Sequence, residues 1–273
     1  MQIHDAAKSE STAWIALARS ALVVALAAAP HAVALAADGL LTLSAGAEYT
    51  GGKFGGTERT DTFYIPVAGK YETGPWAYKL VVPYIRITGP GNVSGSGEDR
   101  VTTVPSGNAQ RRTESGLGDI VASAFYNLVN ERTGQFGLDV GAKAKLGTAD
   151  ETRGLGTGKN DYSLQADVFK PSGAFTAFGT LGFRYYGDPP GVDLRNVFYG
   201  SVGGAYRVSQ PTTVGMSYDF RDRIVAGGAR VSELIAYVSQ RYPGNWKLQL
   251  YAVTGFSDAS PDFGVGLTLS QSF

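Results

Sequence analysis

The chain has 273 residues, and its 24 Lys plus Arg balance 24 Asp plus Glu, so the formal net charge is zero. That balance leaves no basic footprint for a nucleic-acid partner. Cys is absent, while Gly counts 37, Tyr 15 and Phe 13, so disulfide frameworks and thiolate chemistry are excluded.

The N-terminal stretch "MQIHDAAKSESTAWIALARS" is a polar, mixed-charge lead to the apolar run "ALVVALAAAP". Small residues at Ala34 and Ala36 then form a cleavage motif. The apolar run is shorter than the roughly 20 residues a helix needs to span a bilayer. Residues 1–36 therefore read as a secretory signal, with Ala37 or Asp38 opening the mature chain. Both histidines, His4 and His31, fall inside it. A mature chain without His has no Ser-His triad and no His metal ligand, and the leading reading carries no cofactor, no metal and no enzymatic reaction.

From there strand-like segments follow one another. "LLTLSAGAEYT" (40–50) sets Leu41, Leu43, Ala45, Ala47 and Tyr49 against Thr42, Ser44, Gly46 and Glu48. Segments near 61–72, 76–88 and 117–129 come next, with the apolar face switching sides between Pro83 and Arg86, where a bulge is expected. "FGLDVGAKAKL" (136–146) opposes apolar Leu138, Val140, Ala142 and Ala144 to Asp139, Lys143 and Lys145. Segments near 161–170, 175–186 and 197–208 lead to "TVGMSYDFR" (213–221), and one near 230–242 to "NWKLQLYAVTGF" (245–256). "FGVGLTLSQSF" (263–273) closes the chain. That is about twelve strands, each near the ~9–11 residues that cross a bilayer as a tilted strand.

The connections alternate in length. "ETGP", "NERTGQ", "KPSGA", "SQPT" and "PGN" are short, while 51–60, 89–116, 147–160, 187–196, 222–229 and 257–262 are longer or richer in Gly and charge. Tight turns at one rim and large loops at the other mark outer-membrane barrels. Aromatics gather at both strand ends: Trp76, Tyr78, Tyr206 and Trp246 beside the short turns, Tyr49, Phe63, Tyr162 and Tyr185 toward the long loops. Such belts suit the two membrane–water interfaces. The reading is an all-β, antiparallel up-and-down transmembrane β-barrel over residues 37–273, in the outer membrane, with lipid around it.

"KLGTADETRGLGTGKND" (145–161) superficially suggests a phosphate-binding loop. Arg153 stands at the first required Gly, Asn160 replaces the hydroxyl, and a strand pattern follows instead of a helix. It reads as an external hairpin loop.

The polar faces carry both signs of charge: Glu48, Lys70, Lys79, Asp119, Asp139, Lys143, Lys145, Asp167, Arg184, Arg207, Asp219, Arg221, Glu233, Arg241 and Lys247. Inside a barrel these line a lumen, either as a hydrated solute path or as a salt-bridged filling. Both readings stand. The 89–116 loop either acts outside the cell or folds inward as a constriction, pairing Arg111 and Arg112 with inner carboxylates. The final strand, ending on Phe273, resembles the segment by which such barrels are recognised by the barrel-assembly machinery.

The stretches "YIPVAGKYETGPWAYKLVVPYIRITGPG" (64–91), "ESGLGDIVASAFYNL" (114–128) and "VGAKAKLGTADETRGLGTGKNDYSLQADVF" (140–169) resemble the outer-membrane transporter family associated with the phenol-degradation meta-pathway. The likeness weakens beyond Tyr186, and Gly147 follows "KL" where the family often has Pro. The resemblance implies a barrel that passes small solutes, aromatic compounds among them, and implies no reaction. The alternatives are a non-conducting structural or surface-binding barrel and, less favoured, a barrel-embedded enzyme relying on Ser with Lys or on paired carboxylates.

Overall fold

The computed structural model describes residues 39–90, 93–95, 101–103, 111–130 and 135–273. The secretory signal read in residues 1–36 lies outside the described residues. The strands are β1 Leu40–Gly52, β2 Thr60–Thr73, β3 Trp76–Gly89, β4 Val93–Gly95, β5 Val101–Thr103, β6 Arg112–Leu117, β7 Ile120–Val129 and β8 Gly137–Leu146. They continue as β9 Asp161–Ser172, β10 Phe175–Tyr185, β11 Val197–Arg207, β12 Thr212–Arg221, β13 Val231–Tyr242, β14 Trp246–Gly255 and β15 Phe263–Ser272.

Successive wall strands pair antiparallel, and β1 pairs with β15 from Thr42↔Ser272 to Gly51↔Phe263, so the sheet closes on itself. Among the described residues, twelve strands make the ring: β1, β2, β3, β7 and then β8 to β15 in order. Glycines at positive φ make the tight turns, as at Gly74 between β2 and β3 (φ 53°) and Gly173 between β9 and β10 (φ 62°).

Exposure is inverted relative to a water-soluble protein. Leu164 is 63% exposed and Val202 61%, whereas Glu48 is 7% and Glu233 4%. Apolar side chains turned outward and charges turned inward are what a barrel in lipid requires and what a sandwich core forbids. Ring pairs mark both rims: Trp76 with Tyr78 and Tyr126 beside the short turns, Tyr49 with Phe63 and Phe263 beside the long loops.

Three features depart from the sequence reading. The region 89–116 is not loop throughout, since it holds the β4–β5 hairpin and β6. The single strand expected over 117–129 is broken at Gly118 and Asp119: β6 pairs with the far half of β3, from Tyr84↔Leu117 to Gly89↔Arg112, and β7 takes over the near half. β8 pairs with β7 only as far as Ile120↔Leu146, so the other edge of β6 has no strand partner among the described residues. Finally, the bulge expected between Pro83 and Arg86 is absent from the β2–β3 register, which runs unbroken from Asp61↔Thr88 to Thr73↔Trp76. On the other side of β3, however, the register shifts by one between Val81↔Val121 and Tyr84↔Leu117, with the extra residue in the β6–β7 break opposite Pro83. The apparent switch arises because β3 is apolar on both faces, with Val81, Pro83, Ile85 and Ile87 inward and buried. A second irregularity lies on β7, between Asn127 and Val129.

Candidate functional site in the barrel interior

Residues directly opposite in an antiparallel pair point to the same side. Register therefore assigns every strand residue to lipid or lumen once the exposed apolar rows are placed outside. Glu48, Lys70, Lys79, Asp139, Lys143, Lys145, Asp167, Arg184, Arg207, Asp219, Arg221, Glu233, Arg241 and Lys247 all take the inward side. Asp119 instead sits in the break between β6 and β7.

Neutral donors hold several interior carboxylates. Asn127 Nδ2 donates to Asp139 at 2.6 Å, and Thr180 Oγ1 to Asp167 at 2.6 Å. Gln165 Nε2 donates to both oxygens of Asp167 at 2.7 and 2.8 Å, and Tyr199 Oη donates to Gln165 Oε1 at 2.8 Å. The Arg184 guanidinium lies 5.2 Å from the Tyr199 ring centroid and donates to Ser163 Oγ at 3.0 Å. A polar relay thus runs along the wall from Arg184 to Asp167.

Inward aromatics are folded flat by facing glycines. Tyr199 is the register partner of Gly182, and a Cβ on that glycine would collide with its ring. Tyr251 lies likewise over Gly266 and donates to Glu48 Oε2 at 2.6 Å. Phe125 over Gly141, Phe178 over Gly203 and Tyr237 over Gly215 repeat the arrangement. A ring lying on the wall gives the lumen an aromatic surface at little cost in width.

The loop 147–160 is anchored where the wall is incomplete. Lys145 Nζ donates to Asp119 at 2.9 Å, Asp161 at 3.1 Å, Thr157 Oγ1 at 3.2 Å and the Lys159 carbonyl at 3.1 Å. The other Asp119 oxygen accepts from Ala149 N at 3.0 Å. Leu155 is buried beside Gly116 on the inner side of β6, and Arg153 Nε donates to Glu114 at 2.9 Å. Outside this anchor, the Thr152 hydroxyl and then the amides of Arg153 and Thr152 hold the Asp150 carboxyl below the usual range. The glycine-rich stretch that mimics a phosphate loop is thus a strap over the gap between β6 and β8. Among the described residues no group of acids could hold a metal ion, and Asp119 and Asp161 are both paired to Lys145.

Arg111 donates to Asp61 at 3.2 Å, together with Arg59 at 2.7 Å. Asp61 accepts from Tyr49 Oη as well and follows the outward row of Tyr49 and Phe63, so this cluster belongs to the outer rim. Arg112 takes the inward side opposite Gly89 and lies close to Gly154 of the strap. Sequence reading missed Asp161, Gln165 and Tyr199, whose roles depend on cross-strand partners. It also missed the buried inner strip of β3, which shows no alternation to read.

Residues 45–273 match the family model described as "Putative MetA-pathway of phenol degradation". No curated protein matches the chain. The fold is similar to an outer membrane channel from Pseudomonas putida F1, with TM-score 0.62, 14% identity, and 86% of this chain and 96% of that one covered. It is also similar to the NanC porin, with TM-score 0.53, 9% identity, and 84% and 98% covered. These likenesses establish the fold of an outer-membrane β-barrel.

Proposed function

Since the chain belongs to the family described as a phenol-degradation MetA pathway, matched over residues 45–273, we propose that it is a passive outer-membrane channel for small solutes, aromatic compounds among them. One observation carries the reading: among the described residues a closed ring of twelve strands turns its charges and hydroxyls inward, a lining that suits water or a polar solute. The flattened interior rings supply the surface an aromatic solute stacks on. No chemistry is required of the wall, so the protein acts by diffusion rather than catalysis.

The test is conductance in planar bilayers combined with solute entry into proteoliposomes. A channel gives discrete steps and lets small neutral aromatics enter faster than protein-free vesicles do. A silent barrel with no added solute entry overturns the proposal.

A second reading draws support from the strap. Leu155, Thr157 and Ala149 are buried where residues 147–160 cover the gap in the wall at the long-loop mouth. On this reading the barrel rests closed and conducts when the strap is released. Shortening the strap would then convert a silent protein into a conducting one.

A further inference from the structure

Followed strand to strand, the registers set two long rows of single sign in the interior, whereas nearer the long-loop rim Lys145 faces Asp161. One row reads Lys70–Lys79–Ser123–Lys143–Ser163–Arg184 from β2 to β10 and contains no carboxylate. Another reads Asp139–Asp167–Thr180–Ser201–Asp219–Glu233 from β8 to β13 and contains no cation. Between them runs Phe125–Gly141–Gln165–Gly182–Tyr199, the aromatic and amide row. On β8 the three rows meet as Lys143, Gly141 and Asp139. Cationic and acidic rows are therefore four residues apart, roughly 13 Å along a strand.

This sorting sets like charges face to face, although Lys70 also pairs with Glu72 at 2.9 Å. Lys70 faces Lys79 directly, Asp139 faces Asp167, and Asp219 faces Glu233. Like charges directly opposite one another repel, and alternation of sign would serve the fold better. A local rule broken repeatedly in one pattern points to function. Barrel strands tilt, so each row winds as it climbs. The cationic row starts three residues from the short-turn end of β2 and ends one residue from the long-loop end of β10, so it connects the two rims.

We infer that the interior favours small aromatic carboxylates, an inference that rests on the channel reading above. The ring slides along the Phe125–Tyr199 row, and the carboxylate is passed along the cationic row beside it. A hydroxyl on the far side of the ring meets the acceptors of Asp139 and Asp167.

The experiment compares benzoate, benzyl alcohol and benzylammonium entry into proteoliposomes, for the wild type and for the double variant Lys79→Gln/Lys143→Gln, with KCl conductance recorded for each. Benzoate is expected to enter faster than benzylammonium. The double variant is expected to lower benzoate entry about fivefold while leaving benzyl alcohol entry unchanged. Asp139→Asn, which keeps the size of the side chain and removes an acid, is expected not to lower benzoate entry. KCl conductance with no benzoate preference, or an equal loss of all three solutes in the double variant, overturns this inference and leaves the channel standing. Absence of both conductance and solute entry overturns the channel and the inference together.

Discussion

Lys145 and Asp119 lie 26 positions apart in sequence, yet their side chains meet at 2.9 Å in the one place where the barrel wall lacks a strand pair among the described residues. Asp119 is fully buried and Lys145 nearly so. A buried ion pair repays its desolvation only when every remaining hydrogen-bonding site is filled, and here Thr157, Lys159, Ala149 and Asp161 fill them. The arrangement fastens the strap 147–160 to the ends of β8 and β9.

Lys145→Met should therefore leave two buried carboxylates without their cation and destabilise the barrel by about 3 to 5 kcal/mol. Thermal unfolding of the detergent-solubilised protein measures this. The same variant should free the strap, so trypsin cleaves at Arg153 in the variant and spares it in the parent.

The strap should also govern the size of the mouth. Deleting residues 151–157 removes Leu155 from its place beside Gly116 and is expected to raise single-channel conductance. Unchanged conductance would mean that the strap seals the wall without narrowing the lumen.

Gly266 faces Tyr251, whose ring lies where a Cβ would stand. Gly266→Val should swing that ring into the lumen and break its hydrogen bond to Glu48. The expected outcome is lower conductance with a stability loss of about 1 to 3 kcal/mol from overpacking. Tyr251→Ala should act in the opposite direction on conductance.

Ser201 and Val202 are neighbours on β11 with opposite directions, inward and outward. Val202→Arg places a charge against hydrocarbon and should cost about 2 to 4 kcal/mol near the bilayer midplane. Ser201→Arg, beside Asp219, should cost less than about 1 kcal/mol and change ion selectivity instead.

The alternation of Leu41, Leu43 and Ala45 with Thr42, Ser44 and Gly46 was enough to place β1 and its faces, because a two-residue period is a local property. The short and long connections were legible for the same reason: Gly74 and Gly173 announce tight turns wherever they occur. β3 resisted, since Val81, Pro83 and Ile85 face the lumen while Val82 and Tyr84 face lipid, and a strand apolar on both sides has no period. The break at Gly118 and Asp119 was hidden because its cause, Lys145, lies on another strand. Individual inward charges could be named one strand at a time. Their sorting into rows could not, because whether Lys143 stands beside Ser163 or Asp161 depends on a register that the loop 147–160 sets.

The account depends on which face of each strand meets water. Cys is absent from the chain, so single cysteines can be introduced without background. The direct measurement is labelling, by a charged membrane-impermeant thiol reagent, of cysteines placed at 122 to 125 on β7 and 199 to 202 on β11 in protein inserted in vesicles. The account predicts alternation, with positions 123, 125, 199 and 201 labelled and 122, 124, 200 and 202 protected. Labelling of the second set with protection of the first, or equal labelling of all eight, would contradict it.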